Sequence, residues 1–116
     1  MLIPVSDLIA AAKLQCSCKN PTEAREFYDK NGNTVILDVR EPHEAEKASL
    51  SMSINIPRGL LEMQVGKVCE TADVPILVHC GAGGRASLSA YTLQVMGYSN
   101  VHVIDADFEE IQQNFA

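Results

Sequence analysis

VHCGAGGRASLSAYTLQVMGY, residues Val78 to Tyr98, decides the fold. It follows directly on Pro75-Ile76-Leu77, and the run from Pro75 to His79 is short, apolar and β-branched, the pattern of a buried strand. At the end of that strand comes Cys80, then Gly81, Ala82, Gly83 and Gly84, and then a long amphipathic helical pattern that begins near Arg85 and stops at Gly97. Glycines leave the backbone N–H groups of the loop open, so the peptide can curl around the Cys80 sulfur and direct several donors at it. The positive amino end of the following helix adds to the same field. Surroundings of this kind favour a thiolate, the reactive form of cysteine. A lone cysteine at the end of a buried strand is more often a small apolar residue. Three glycines in the four positions after it cost chain entropy that a plain turn does not require, and this shifts the reading towards function.

Outwards from this centre, strand and helix patterns alternate. Towards the amino terminus, Ile54 to Pro57 reads as a short strand, followed by a helical stretch from Arg58 to about Cys69. Before it, Thr34 to Val39 is a near-continuous apolar run, as expected of a strand covered on both faces in a parallel sheet. Asp38 interrupts that run, and a buried carboxylate there has to be paired with backbone N–H groups or an arginine. It reads as a structural brace. Arg40 to Glu44 turns into a short acidic helix with Pro42 at its start and His43 on the surface. Asn20-Pro21-Thr22-Glu23 combines an N-cap, a proline at the first helical position and a glutamate three residues past the cap, and predicts a helix from Pro21 to about Lys30. Cys16-Ser17-Cys18 is expected to be extended, and before it Ser6 is read as the N-cap of a first helix that runs to about Leu14 with one apolar side, packed on the domain or on another subunit. Towards the carboxyl terminus, Val101 to Ile104 is a last strand, and Phe108, Ile111 and Phe115 give the apolar side of a closing helix. The alternation specifies an α/β fold with a central, mainly parallel sheet flanked by helices. Sites in such sheets form outside the carboxyl ends of the strands, where Cys80 stands.

The chain has 116 residues, enough for one domain with a modest core; residues 1–17 are read as a helical extension and 18–116 as the domain itself. A net charge of −6 argues against nucleic-acid and anionic-membrane partners, which need a basic face. The first residues lack the basic segment of a signal peptide and carry Asp7 within the apolar stretch, so a cytoplasmic, reducing location is expected. There the four cysteines, Cys16, Cys18, Cys69 and Cys80, are read as free thiols. Their spacing fits no metal site, and no cofactor is called for.

VILDVREPHE (Val35–Glu44), INIPRG (Ile54–Gly59), HCGAGGRAS (His79–Ser87) and MGYSNV (Met96–Val101), in this order, resemble the rhodanese family, and specifically a single-domain rhodanese. The resemblance runs from about Cys18 to Phe115. It implies sulfurtransferase activity: Cys80 takes a sulfane sulfur from thiosulfate or an organic persulfide, holds it as a persulfide, and passes it to a thiol or cyanide. The family's active loop, a cysteine and an arginine with four residues between them, falls on Cys80, Gly81, Ala82, Gly83, Gly84 and Arg85. The amides from Gly81 to Ala86 are expected to bind the anionic sulfur. Arg85 reads either as a residue that orients the loop and attracts the anion or as a brace bonded to loop carbonyls. Asp38, Arg40 and Arg58 are supporting residues, while His79 points away from Cys80 by alternation along the strand and is not a base.

Departures from the family pattern lie at Ala48 to Ser53, before the INIP segment, and at Ala106, Asp107 and Ile111 after the last strand, where relatives often carry glycines and a tryptophan. The first concerns a turn and the second a pocket wall. Cys80-Gly81-Ala82-Gly83 is also similar to the loop of mercaptopyruvate sulfurtransferases, from which Arg85 departs where threonine is expected. Arg85 is the one cation of the loop, whereas relatives tuned to thiosulfate often have another, so the donor stays open. Related phosphatases and arsenate reductases need one more loop residue to surround a tetrahedral oxyanion. The remaining alternative is a non-catalytic interaction or sensing module, and the sequence leaves oligomeric state undecided.

Overall fold

Ile76–His79 is buried at every position and forms the middle strand, β4, of a parallel five-stranded sheet in a computed structural model that describes residues 1–116. The sheet order is β1-β5-β4-β2-β3, with β1 Ser17–Lys19, β2 Val35–Asp38, β3 Ser53–Asn55 and β5 Val101–Ile104. Val78 lies opposite Leu37 on one side and Val103 on the other, and His79 lies opposite Asp38. All neighbouring strands run parallel, as the unbroken apolar runs of β2 and β4 require when helices cover both faces.

Alternation along the strands divides the core in two. Leu37, Val39, Val78, Cys80 and Val103 face one side and pack with Ala86, Ala90 and Leu93 of α5 (Gly84–Val95). Ile36, Leu77 and Ile104 face the other, with Ala24 of α2 (Pro21–Lys30) and with Ile111 and Phe115 at α6 (Phe108–Asn114). The start of α2 is the expected one: the Asn20 side chain accepts the Glu23 amide at 2.8 Å and the Glu23 carboxylate accepts the Asn20 amide at 2.9 Å. The end of α5 is also as expected, with Gly97 at φ +109° and the Tyr98 amide donating to the Leu93 carbonyl at 3.1 Å.

Several boundaries differ from the sequence reading, among them β3, which covers Ser53–Asn55 where Ile54 to Pro57 is expected. α1 (Val5–Gln15) starts one residue before Ser6, because the Pro4 carbonyl already accepts the Asp7 amide and Ser6 makes no cap. The helical stretch after Arg58 is broken into a 3₁₀ turn (Arg58–Leu60), one turn of α4 (Leu61–Gln64) and a second 3₁₀ turn (Val65–Lys67). Gly59, Gly66 and the β-branched Val65 and Val68 lower helix propensity across that stretch. The Thr34–Val39 run is ordered as a strand only over its middle four residues. The acidic helix, α3 (Pro42–Lys47), does begin at Pro42. α1 packs on α5 with Ala12 buried between them, while Leu2, Ile3, Val5, Leu8 and Leu14 are exposed. No helix is long and apolar enough to cross a membrane.

Candidate active site

Cys80 immediately follows β4, and its Sγ accepts two backbone amides, Gly83 at 3.1 Å and Ala86 at 3.3 Å. Both come from the turn and first residues of α5, so the loop folds back over its own cysteine as the glycine pattern predicts. Gly83 makes this possible with φ +102°, a left-handed conformation that a side chain resists. The Gly83 carbonyl then accepts both the amide and the hydroxyl of Ser87, at 2.9 and 2.6 Å, which locks the turn onto the helix. The amides of Gly84 and Arg85 belong to the first turn of α5 and have no intrahelical acceptor. Together with the helix dipole they make the surroundings of Sγ favourable to negative charge.

Other elements hold the loop from outside. The Phe108 amide donates to the Gly81 carbonyl at 2.9 Å, fixing the first peptide of the loop to the start of α6. An added Cβ on Gly83 would lie 2.5 Å from Asp105 Oδ1, and one on Gly84 would lie 3.0 Å from Ile9 Cδ1. Asp105 is paired with Lys13 of α1 at 3.1 Å. Arg85 donates to both carboxylate oxygens of Glu44 on α3, at 2.6 and 3.1 Å. Its partner is therefore a carboxylate from another element and not the loop carbonyls that one of the two readings of Arg85 called for. This bidentate bond holds the Glu44 carboxyl down at about 2 and raises the guanidinium of Arg85.

The supporting residues separate into two groups. Asp38 accepts the Arg40 amide at 3.0 Å, Nε at 2.9 Å and Nη2 at 2.8 Å, and is the buried brace that its place in the strand calls for. Arg40 also donates to the Ala48 carbonyl at 2.7 Å and lies 3.9 Å above the Phe108 ring. Arg58 is elsewhere: its guanidinium donates to Glu62 at 3.0 Å and to Thr92 at 3.2 Å, two turns along α5 from the loop. His79 stacks on the same ring, Phe108, with centroids 5.7 Å apart, on the face of the sheet opposite Cys80. Neither ring nitrogen has a partner, and burial pulls its pKa down to about 4, with the nearby Asp38 carboxylate opposing the shift. The other thiols are less suited to nucleophilic work. Burial pushes Cys69 up to about 11 and raises Cys16 and Cys18 as well, and all four cysteines are unpaired.

Residues 20–114 match the model of the rhodanese-like domain. The chain belongs to the rhodanese-like family. Among curated relatives, a tRNA sulfurtransferase of Shewanella sediminis is 36% identical over 86 residues, which are 71% of this chain and 17% of that protein. A thiosulfate sulfurtransferase of Stutzerimonas stutzeri is 29% identical over 80 residues, 69% of this chain and 72% of that one. This rhodanese-like chain thus spans less than a fifth of the first relative and most of the second. A solved structure from Rhodopseudomonas palustris, described as a protein of unknown function and possible tyrosine phosphatase, superimposes with a TM-score of 0.85 over 97% of this chain and 92% of that one, at 23% identity. At that identity the likeness establishes the fold.

Glu44, Asp105, Lys13, Ile9 and Phe108 are the site neighbours that sequence reasoning did not single out. Only Glu44 left a local trace, within the REPHE segment, but nothing in one sequence links it to an arginine 41 residues away.

Proposed function

We propose that this chain is a sulfurtransferase that carries a sulfane sulfur as a persulfide on Cys80. The observation that supports it most is the pair of amides, Gly83 and Ala86, bonded to Sγ at the amino end of α5. A buried sulfur that served only as a small apolar residue needs no donors. With thiosulfate, the Cys80 thiolate attacks the sulfane sulfur, a new S–S bond forms to Cys80, the old S–S bond breaks, and sulfite leaves with its electron pair. The persulfide anion is then attacked at its outer sulfur by a thiol or cyanide, which takes that sulfur and returns the thiolate. No net oxidation occurs over the cycle. The unpaired amides of Gly84 and Arg85 and the helix dipole favour the outer, negatively charged sulfur.

Charge around the loop bears on the donor. Arg85 is neutralised by Glu44, Arg40 by Asp38 and Arg58 by Glu62. A dianion such as thiosulfate therefore recovers less of its hydration cost here than a persulfide whose charge lies away from the sulfane sulfur. We place the organic persulfide ahead of thiosulfate as donor, with a thiol as acceptor. The deciding experiment is intact mass spectrometry after exposure to several donors and desalting. The wild type is expected to gain one sulfur atom, to lose it to cyanide, and to lose the ability in Cys80→Ser. A folded wild type that takes no sulfur from any donor would point to the non-catalytic interaction module instead.

A further inference from the structure

We propose that α1, which lies outside the matched family segment, is a wall of the active site, and that its Lys13 tunes which donor charge the loop accepts by cancelling the Asp105 carboxylate. The proposal rests on the sulfurtransferase reading and adds a residue that determines specificity. Ile9 and Lys13 stand four residues apart, on one face of α1. Each acts on one of two adjacent loop glycines. Ile9 Cδ1 lies 3.0 Å from where a Cβ on Gly84 would be, and Lys13 holds Asp105, whose Oδ1 lies 2.5 Å from the corresponding position on Gly83. Asp105 itself sits at the carboxyl end of β5, its amide tied to the Lys19 carbonyl of β1 at 2.9 Å, so its place beside the loop is set by the sheet.

Gly83 is also the residue whose amide donates to Cys80 Sγ at 3.1 Å. Standard bond lengths then put the Asp105 carboxylate within about 9 Å of the sulfur. With Lys13 in place the carboxylate is cancelled, as Arg85 is by Glu44, and the loop meets its donor through backbone dipoles. Without Lys13 a full negative charge faces the loop. At low ionic strength, unit charges within about 9 Å of each other in largely aqueous surroundings change a rate or binding constant by about 2- to 3-fold per charge, and the ratios are read there because salt screens the effect. Lys13 and Asp105 are each about one-third exposed, at 36% and 33%, so losing the pair costs little stability and the variants should fold.

Thiosulfate and methanethiosulfonate offer the same sulfane sulfur but differ by one negative charge, and their kcat/KM ratio reads the field at the loop. Lys13→Met is expected to lower the ratio of thiosulfate to methanethiosulfonate about 2- to 3-fold, and Asp105→Asn to raise it by a similar factor. The double variant, neutral again, should return to the wild-type ratio, which a merely structural role would not produce. A second measurement needs no sulfur transfer: the rates at which iodoacetate and iodoacetamide alkylate Cys80, followed on the Cys80 peptide, should shift in the same pattern. If the wild type takes sulfur from neither donor, the transferase reading falls while the alkylation ratio still decides the role of Lys13. Unchanged ratios in Lys13→Met, or a double variant that is not restored, would overturn the proposal.

Discussion

The Cys80 sulfur is buried to 1% exposure and yet bonded to two amides, a combination that sets it apart from the equally buried Cys69. Cys69 is surrounded by apolar neighbours, and burial alone pushes its thiol up to about 11. Cys69→Ser should therefore keep sulfur transfer, whereas Cys80→Ser should abolish it; a folded Cys69→Ser that no longer transfers sulfur would call for a relay between the two. Arg85 is tested by a finer change. Lysine offers a point charge that cannot span both oxygens of Glu44, so Arg85→Lys should slow persulfide formation by about 10-fold through loss of loop order, with the charge kept. Glu44→Gln retains one acceptor oxygen and should slow it less. Rapid-mixing measurement of sulfur loading, with circular dichroism to verify the fold, separates the two.

At the scale of elements, the strand, loop and helix around Cys80 were legible because each carries local chemistry: an apolar run, glycines and a helical period ending at a glycine. The capped start of α2 was legible for the same reason. What tied these elements together was not. Arg85 with Glu44, Gly81 with Phe108, and Gly83 with Asp105 and Lys13 are contacts between distant segments, and a single sequence carries no mark of them. The fragmented helix after Arg58 was misjudged because apolar spacing persisted through residues of poor helix propensity. Gly83 and Gly97 test how the loop depends on its neighbours. Both have positive φ, +102° and +109°, but an added Cβ meets Asp105 at Gly83 and nothing at Gly97. Gly97→Ala should cost only the backbone term, at least about 1 kcal/mol, and leave activity alone. Gly83→Ala adds a clash that displaces the amide bonded to Sγ, and should remove most sulfur loading from a protein that still folds. Thermal melts beside loading assays check both, and equal loss of activity in the two would show that strain alone governs the loop.

The whole molecule is balanced around a sheet whose opposite faces hold different chemistry: the amide-bonded Cys80 sulfur on one, and on the other a layer in which the Phe108 ring meets both Arg40 and His79. Within that layer His79 is fully buried with both ring nitrogens unpartnered, so the fold holds it as a neutral ring. Its folded pKa of about 4 lies below the ordinary 6.5, because burial disfavours the charged form. The unfolded chain therefore binds a proton that the folded chain refuses, and the associated stability is complete above pH 6.5 and is lost as the pH falls towards 4. The size of the loss is up to about 3 kcal/mol from this one group. Glu44, depressed to about 2, contributes in the same direction at lower pH, between 4.5 and 2. His79→Leu removes the first of these without leaving a polar atom unsatisfied, since the imidazole has no partner to orphan. Urea unfolding at pH 7 should find the variant as stable as the wild type or up to about 1 kcal/mol more so. Repeated at pH 5, it should find the gap widened in favour of His79→Leu, and Asp38 and Arg40, which face the ring, keep their own pair in both proteins. Parallel stability curves from pH 7 to 4.5 would mean that His79 takes up its proton in the folded state as readily as in the unfolded one.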